Sequence, residues 1–186
     1  MMHILKPAVS LFVVAAIAAV TLGVVNGLTL EPIENQRRRA QEKLLAEILR
    51  EASEFRELRG GFSGSVVRVF EGIDGDGQKV GYVIELAPVG YGGAINMMVG
   101  ISSTQNQIAG MRVMRHSETP GFGAAIKGER FFRRFDGLAI SPLTVVRFGA
   151  GPGEFQAITS STITSRAVVG AVNDAVEWYA ANRGEE

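Results

Sequence analysis

Cysteine is absent from this 186-residue chain. That absence removes disulfides, thiolate nucleophiles and cysteine-ligated zinc or iron–sulfur centres, so any redox chemistry needs a borrowed cofactor. It does not fix the compartment, because cysteine-free chains work in oxidising and reducing surroundings alike. Histidine occurs twice, and a lone residue such as His116 serves structure more often than ligation. An excess charge is missing too: 19 Lys and Arg balance 19 Asp and Glu. Phosphate backbones demand clustered basic side chains, so nucleic acid is excluded as a partner. No internal repeat or low-complexity tract breaks the chain, whose length suits one compact domain with additions.

What is present begins with a long uncharged run. Ala8 to Leu28 reads AVSLFVVAAIAAVTLGVVNGL, and as a helix it would reach about 31 Å against a hydrocarbon core of roughly 30 Å. A cleaved signal peptide has a shorter apolar core and a clean small-x-small site, which Val25 to Gly27 does not supply. The run is therefore expected to be an uncleaved single-span anchor. The flanks carry Lys6 on one side and Arg37, Arg38 and Arg39 with Glu31 and Glu34 on the other, so charge does not settle its orientation.

From Asn35 to Leu58, Ala40, Leu44, Leu45, Ile48, Leu49, Ala52 and Phe55 fall at helical spacing among Arg, Glu and Lys. This predicts an amphipathic helix stopped by Gly60 and Gly61. The period then becomes that of strands, with SVVRVF (65–70) and VGYVIELAPV (80–89) flanking DGDG at 74–77. Asp-Gly between such runs marks a hairpin. A calcium loop is the weaker reading, because Gln78 and Lys79 stand where it needs a further ligand and a glycine. AINMMVGIS (94–102) and QIAGMRVMRH (107–116) read as two more strands, their methionines as adaptable core packing.

SETPGFG (117–123) must be a loop, Phe131, Phe132 and Phe135 suggest a short helix, and LTVVRFGA (143–150) reads as a strand. A last helix is expected from about Ser165 to Asn182, with Thr164 or Ser165 as its N-cap. Just before it lies AITSSTITSRAVV (157–169), unusually rich in hydroxyls. Thr162 is placed next to the helix start, where free N–H groups and the helix dipole favour a phosphate.

Three stretches, GYGGAINMMVGI (90–101), HSETPGFG (116–123) and FQAITSSTITSRAVV (155–169), together with an N-terminus beginning ILKPAVSL, resemble the G-type subunit of the Rnf (Rsx) electron transport complex. That family is related to the C-type subunit of sodium-translocating NADH:quinone reductase. The likeness covers nearly the whole chain. It implies an α+β protein: a transmembrane helix and an amphipathic helix, then an antiparallel-sheet FMN-binding domain with a C-terminal helix. The corresponding divisions are 1–30, 31–60 and 61–186.

In the family a threonine hydroxyl is esterified to the phosphate of FMN, within Asp-x-x-Ser/Thr-Gly-Ala-Thr. The resemblance puts that acceptor at Thr162 and the motif's first hydroxyl at Thr159. Gln156 replaces the Asp, and Ser160 and Ser161 replace Gly and Ala. Tyr91 as a stacking ring, Gly92 and Gly93 as points of close backbone approach, and Glu118 and Thr119 as donors or acceptors at the ring edge complete the expected site. The implied protein carries electrons within a redox-driven ion-translocating complex of the ferredoxin/NAD type. Its expected partners are the other membrane subunits, the membrane and a flavin transferase. Its expected place is the bacterial inner membrane, with the soluble domain in the periplasm. The alternatives are a C-type component of the quinone reductase and a flavin-free scaffold or sensor domain, the latter favoured by the three departures.

Overall fold

The computed structural model describes the backbone of residues 2–183 and the side chains of residues 11–23, 36 and 39–183. The chain divides into two units, Met1–Lys43 and Leu44–Glu186. Helix α1 runs from Met2 to Ile48. In the first unit Leu11, Phe12, Val14, Ile17, Val20 and Leu22 are exposed, and the one polar group among them, Thr21, donates its hydroxyl to the Ile17 carbonyl at 2.8 Å. Ala8 to Leu28, the expected anchor, extends at both ends outside the described side chains. Among the described residues no helix is long and apolar enough to cross a membrane.

The second unit is built on an antiparallel meander in the order β1 to β5, namely Glu54–Leu58, Val66–Ile73, Lys79–Leu86, Asn96–Ser102 and Gln107–Arg115. The expected helix over 35–58 is corrected at its end: α1 stops at Ile48, and Glu54–Leu58 is β1. The apolar spacing continues past the break because Leu49, Ala52 and Phe55 pack on the same small cluster as Leu45 and Ile48. The change of backbone is decided by pairing, since Ser53 N–H reaches the Ile73 carbonyl at 2.7 Å and β1 then lies along β2.

Central strand β3 is buried on both faces. Tyr82, Ile84 and Leu86 enter the main core, whereas Val80 and Val83 join Phe70, Met98 and the end of α1. Room for α1 comes from Gly100, where a Cβ would collide with Ile48 Cγ2. Glu85, the carboxylate on this strand, is only 7% exposed, and Arg68 answers it with Nη2 at 2.6 Å and Nε at 2.8 Å. The β2–β3 turn matches its sequence signal. Asp74 Oδ1 accepts the N–H groups of Asp76 and Gln78 at 2.9 and 2.8 Å, so the carboxylate closes its own turn.

The main core lies between the sheet and α3, Thr162–Asn182, whose Val168, Val169, Val172, Ala175, Val176 and Tyr179 face inward. Each buried Val contributes about 1.5 kcal/mol or more. Tyr82 meets Trp178 and Tyr179 edge-on at 5.2 and 6.0 Å. A short helix α2, Glu129–Phe132, continues into a 3-10 turn, Arg133–Phe135. Phe135 stacks on Phe155 at 4.2 Å, with Phe131 set edge-on to both. Phe155 belongs to β7, Glu154–Gln156, which pairs in parallel with β6, Thr144–Val146. The aromatic stack thus fixes the strand that leads into the hydroxyl-rich segment.

Candidate functional site

Three segments converge at the N-terminal end of α3. The first is the turn over Gly90 to Gly93, closed by Gly90 N–H to the Gly93 carbonyl at 2.8 Å, with Tyr91 at its tip and 73% exposed. The second is the loop from Ser117 to Phe122. Pro120 and Gly121, the latter at φ +79°, follow Thr119, and Phe122 N–H returns to the Thr119 carbonyl at 3.2 Å. This is the type II turn that a Pro-Gly pair favours. The third is the hydroxyl-rich run itself. Arg134 steadies its start: its guanidinium lies 4.0 Å over the Phe155 ring and donates to the Gln156 carbonyl at 3.0 Å. Burial pulls the Arg134 pKa below its usual value.

Glu118 ties the three together. It is 5% exposed; Oε1 accepts from Gly92 N–H at 2.8 Å and Oε2 from the Thr164 hydroxyl at 2.6 Å. Its own N–H donates to His116 Nδ1 at 3.2 Å, a structural use of that histidine. A Cβ at Gly123 would overlap Glu118 Oε2, and one at Gly92 would overlap the Ser117 carbonyl, so these glycines permit the close approach.

Helix α3 begins three residues earlier than the sequence pattern suggests. Thr162 is its first residue rather than a residue before it, and the N-cap position belongs to Ser161, not to Thr164 or Ser165. The reason is tertiary. Thr164 is engaged by Glu118, and Ser165 Oγ accepts the Ile158 N–H at 2.9 Å, folding 158–161 back on the helix end. Ser160 adopts φ +64°, the left-handed region, at the position where the resembled motif has glycine. Ser161 makes no side-chain cap bond, and its Oγ is buried without a partner.

Between these segments lies a cavity of about 500 Å³. Of the expected site residues, Tyr91, Glu118, Thr119, Ser160, Ser161 and Thr162 line it, together with Phe122, Gly123, Ile163 and Thr164. Gly92 and Gly93 lie in the adjoining turn and do not line it. Thr159 lines a smaller neighbouring cavity of about 240 Å³ with Arg147 and Phe148; Ser160 and Thr162 border both. The sequence passes over Phe122 and Gly123, although they sit in the same SETPGFG loop as Glu118, and over Ile163, which looks like an ordinary helix residue.

These features suit FMN. The volume falls within the usual range for small-molecule sites. Tyr91, Phe122 and Ile163 give apolar surface to a flat ring, while the uncapped start of α3 and the unpartnered Ser161 hydroxyl suit its phosphate.

Residues 90–177 match the FMN-binding domain family, and residues 1–48 match the RnfG N-terminal region. The G-type subunit of the ion-translocating oxidoreductase complex of Methanosarcina acetivorans is 35% identical over 186 residues, covering 98% of this chain and 97% of that one. The chain belongs to the RnfG family. A second relative, the G-type subunit of the Na(+)-translocating ferredoxin:NAD(+) oxidoreductase complex of Acetobacterium woodii, is 31% identical over 192 residues, 95% of this chain and 91% of that one. Among solved structures, the C-type subunit of the Na(+)-translocating NADH-quinone reductase from Parabacteroides distasonis is 27% identical with a TM-score of 0.53, over 64% of this chain and 63% of that one. As an RnfG protein, this chain binds FMN and acts as the electron-carrying flavoprotein component of a multi-subunit oxidoreductase. The resemblance to the Rnf family and the FMN assignment are thereby established. The α+β architecture with an antiparallel sheet and C-terminal helix agrees with the FMN-binding-domain part of the expected fold class.

Proposed function

We propose that FMN is joined through its phosphate to Thr162 Oγ, on a domain held outside the cytoplasm by an anchor over Ala8–Leu28. The observation that carries this reading is the position of Thr162, half-buried as the first residue of α3 and bordering both cavities. Its neighbours Thr164 and Ser165 have hydroxyls already engaged by Glu118 and Ile158, which leaves Thr162 the better-presented acceptor. When bound, the isoalloxazine ring supplies one- and two-electron chemistry. The chain's own part is to hold and surround it. The first-turn N–H groups of α3 would favour the phosphate charge, Glu118 keeps the glycine turn against the helix, and Tyr91 and Phe122 would offer apolar cover to the ring. Thr159, Ser160, Gly92, Gly93 and Thr119 shape the backbone around it.

The uncharged exposed stretch around Leu11 to Leu22 supports a membrane anchor, and a tether supports an extracytoplasmic site, where a lost flavin is not readily replaced. The partners proposed are the remaining membrane subunits of a ferredoxin:NAD(+) type complex and a flavin transferase that attaches the FMN. The test is mass spectrometry of the full chain coexpressed with such a transferase. One FMN less one water is expected on the peptide containing Thr162. Its appearance on Thr159 or Ser161 would overturn the assignment, and its complete absence would leave FMN held without a covalent bond.

A further inference from the structure

Ser161 is the unexplained group of the site. It is only 7% exposed, it borders the cavity, and its Oγ is the one buried side-chain polar atom without a hydrogen-bond partner among the described residues. A buried hydroxyl left unpaired costs about 1–3 kcal/mol, and such groups are rare unless a ligand answers them. The usual alternative is open to a serine at an N-cap, which accepts from an N–H in the first turn, yet α3 has no such bond. A helix start without its cap and a hydroxyl without its partner therefore occupy the same corner, next to Thr162. Ser161 lines the cavity, and a serine hydroxyl is redirected by a single χ1 rotation between staggered positions.

We propose that Ser161 and the first-turn N–H groups of α3 form a phosphate seat that holds FMN without any covalent bond, Ser161 Oγ–H donating to a phosphate oxygen. This rests on the cavity being the FMN site but not on Thr162 being the acceptor. The phosphate is recognised here, so the domain discriminates FMN from riboflavin, which has the same ring and no phosphate.

The test uses the full chain in detergent with Thr162→Ala, which removes the covalent route, titrated with FMN and with riboflavin by flavin fluorescence. FMN is expected to bind at least about tenfold more tightly. Adding Ser161→Ala should weaken FMN by about tenfold or more, in keeping with one hydrogen bond to a charged group, and leave riboflavin unchanged. The thermal midpoint of the ligand-free chain should stay the same or rise on Ser161→Ala, because an unpaired buried group has been removed. Equal affinities for the two flavins, an unchanged FMN affinity in the double variant, or a lowered midpoint that reveals an ordinary cap would each overturn the seat. Mass spectrometry of the wild-type chain answers separately whether Thr162 carries flavin.

Discussion

The β2–β3 turn and the segment 157–165 are both short connections rich in polar residues, and they treat those residues oppositely. In the turn, Asp74 closes on two backbone N–H groups of its own loop, and Gly77 at φ +80° completes the reversal. The Asp74 carboxylate is used by its own turn. In the hydroxyl-rich segment Ser165 and Thr164 are engaged by Ile158 and Glu118, but Ser161 has no partner and Thr162 stands at the cavity. A polar segment that satisfies itself is architecture, whereas one that leaves donors in a sheltered corner is prepared for something else.

The sharpest break of this contrast comes from Thr162→Ala. It is expected to abolish covalent flavin, read as in-gel fluorescence after denaturing electrophoresis, while shifting the melting midpoint by no more than about 3 °C. Retained fluorescence would return Thr162 to the class of ordinary loop hydroxyls.

Next in size is Glu118→Ala, which strands Gly92 N–H and the Thr164 hydroxyl. A loss of about 2–4 kcal/mol in urea unfolding is expected, with a smaller loss for Glu118→Gln, since the amide keeps one acceptor oxygen. A near-neutral Glu118→Ala would show that the three segments hold together without it.

The two connections are compared directly by Ser165→Ala and Asp74→Ala. The first removes the partner of a half-buried N–H and should cost about 1–2 kcal/mol together with reduced flavin labelling. The second breaks hydrogen bonds exposed to solvent and should cost about 1 kcal/mol or less, with labelling untouched. Equal effects on labelling would erase the distinction.

The smallest effect runs the other way. Ser160 holds φ +64°, where an L-residue is strained by about 1–2 kcal/mol and glycine is not, although glycine gives back part of this in unfolded-state entropy. Ser160→Gly should therefore stabilise the domain by up to about 1 kcal/mol in a chemical denaturation curve, and a destabilisation would mean that its side chain holds the loop.

The hairpin, strands β4 and β5, the phenylalanine helix and the C-terminal helix were legible because their signals are local: alternation, Asp-Gly, and an apolar stripe on α3. The α1 boundary was not, because Ala52 and Phe55 keep helical spacing while the backbone beneath them is already turning into a strand paired with β2. The start of α3 was missed for a related reason. Thr164 and Ser165 have the composition of caps, and only partners at Glu118 and Ile158 reveal that they serve elsewhere. Within the site, the glycine turn, the Thr-Pro-Gly loop and Thr162 stand out in the sequence. The link that Glu118 makes among them does not, since nothing local relates it to Gly92 or Thr164.

That link also bears on when the acceptor comes into being. Glu118 joins residues 26 and 46 positions away, so the corner around Thr162 closes only after long loops have closed, a late event in a chain of this topology. On the covalent reading, a flavin transferase that reads the shaped corner would pass over copies in which Glu118 has not yet brought these segments together. The attached flavin is then a record of completed folding, and the complex recruits its electron carrier from chains that have already been inspected.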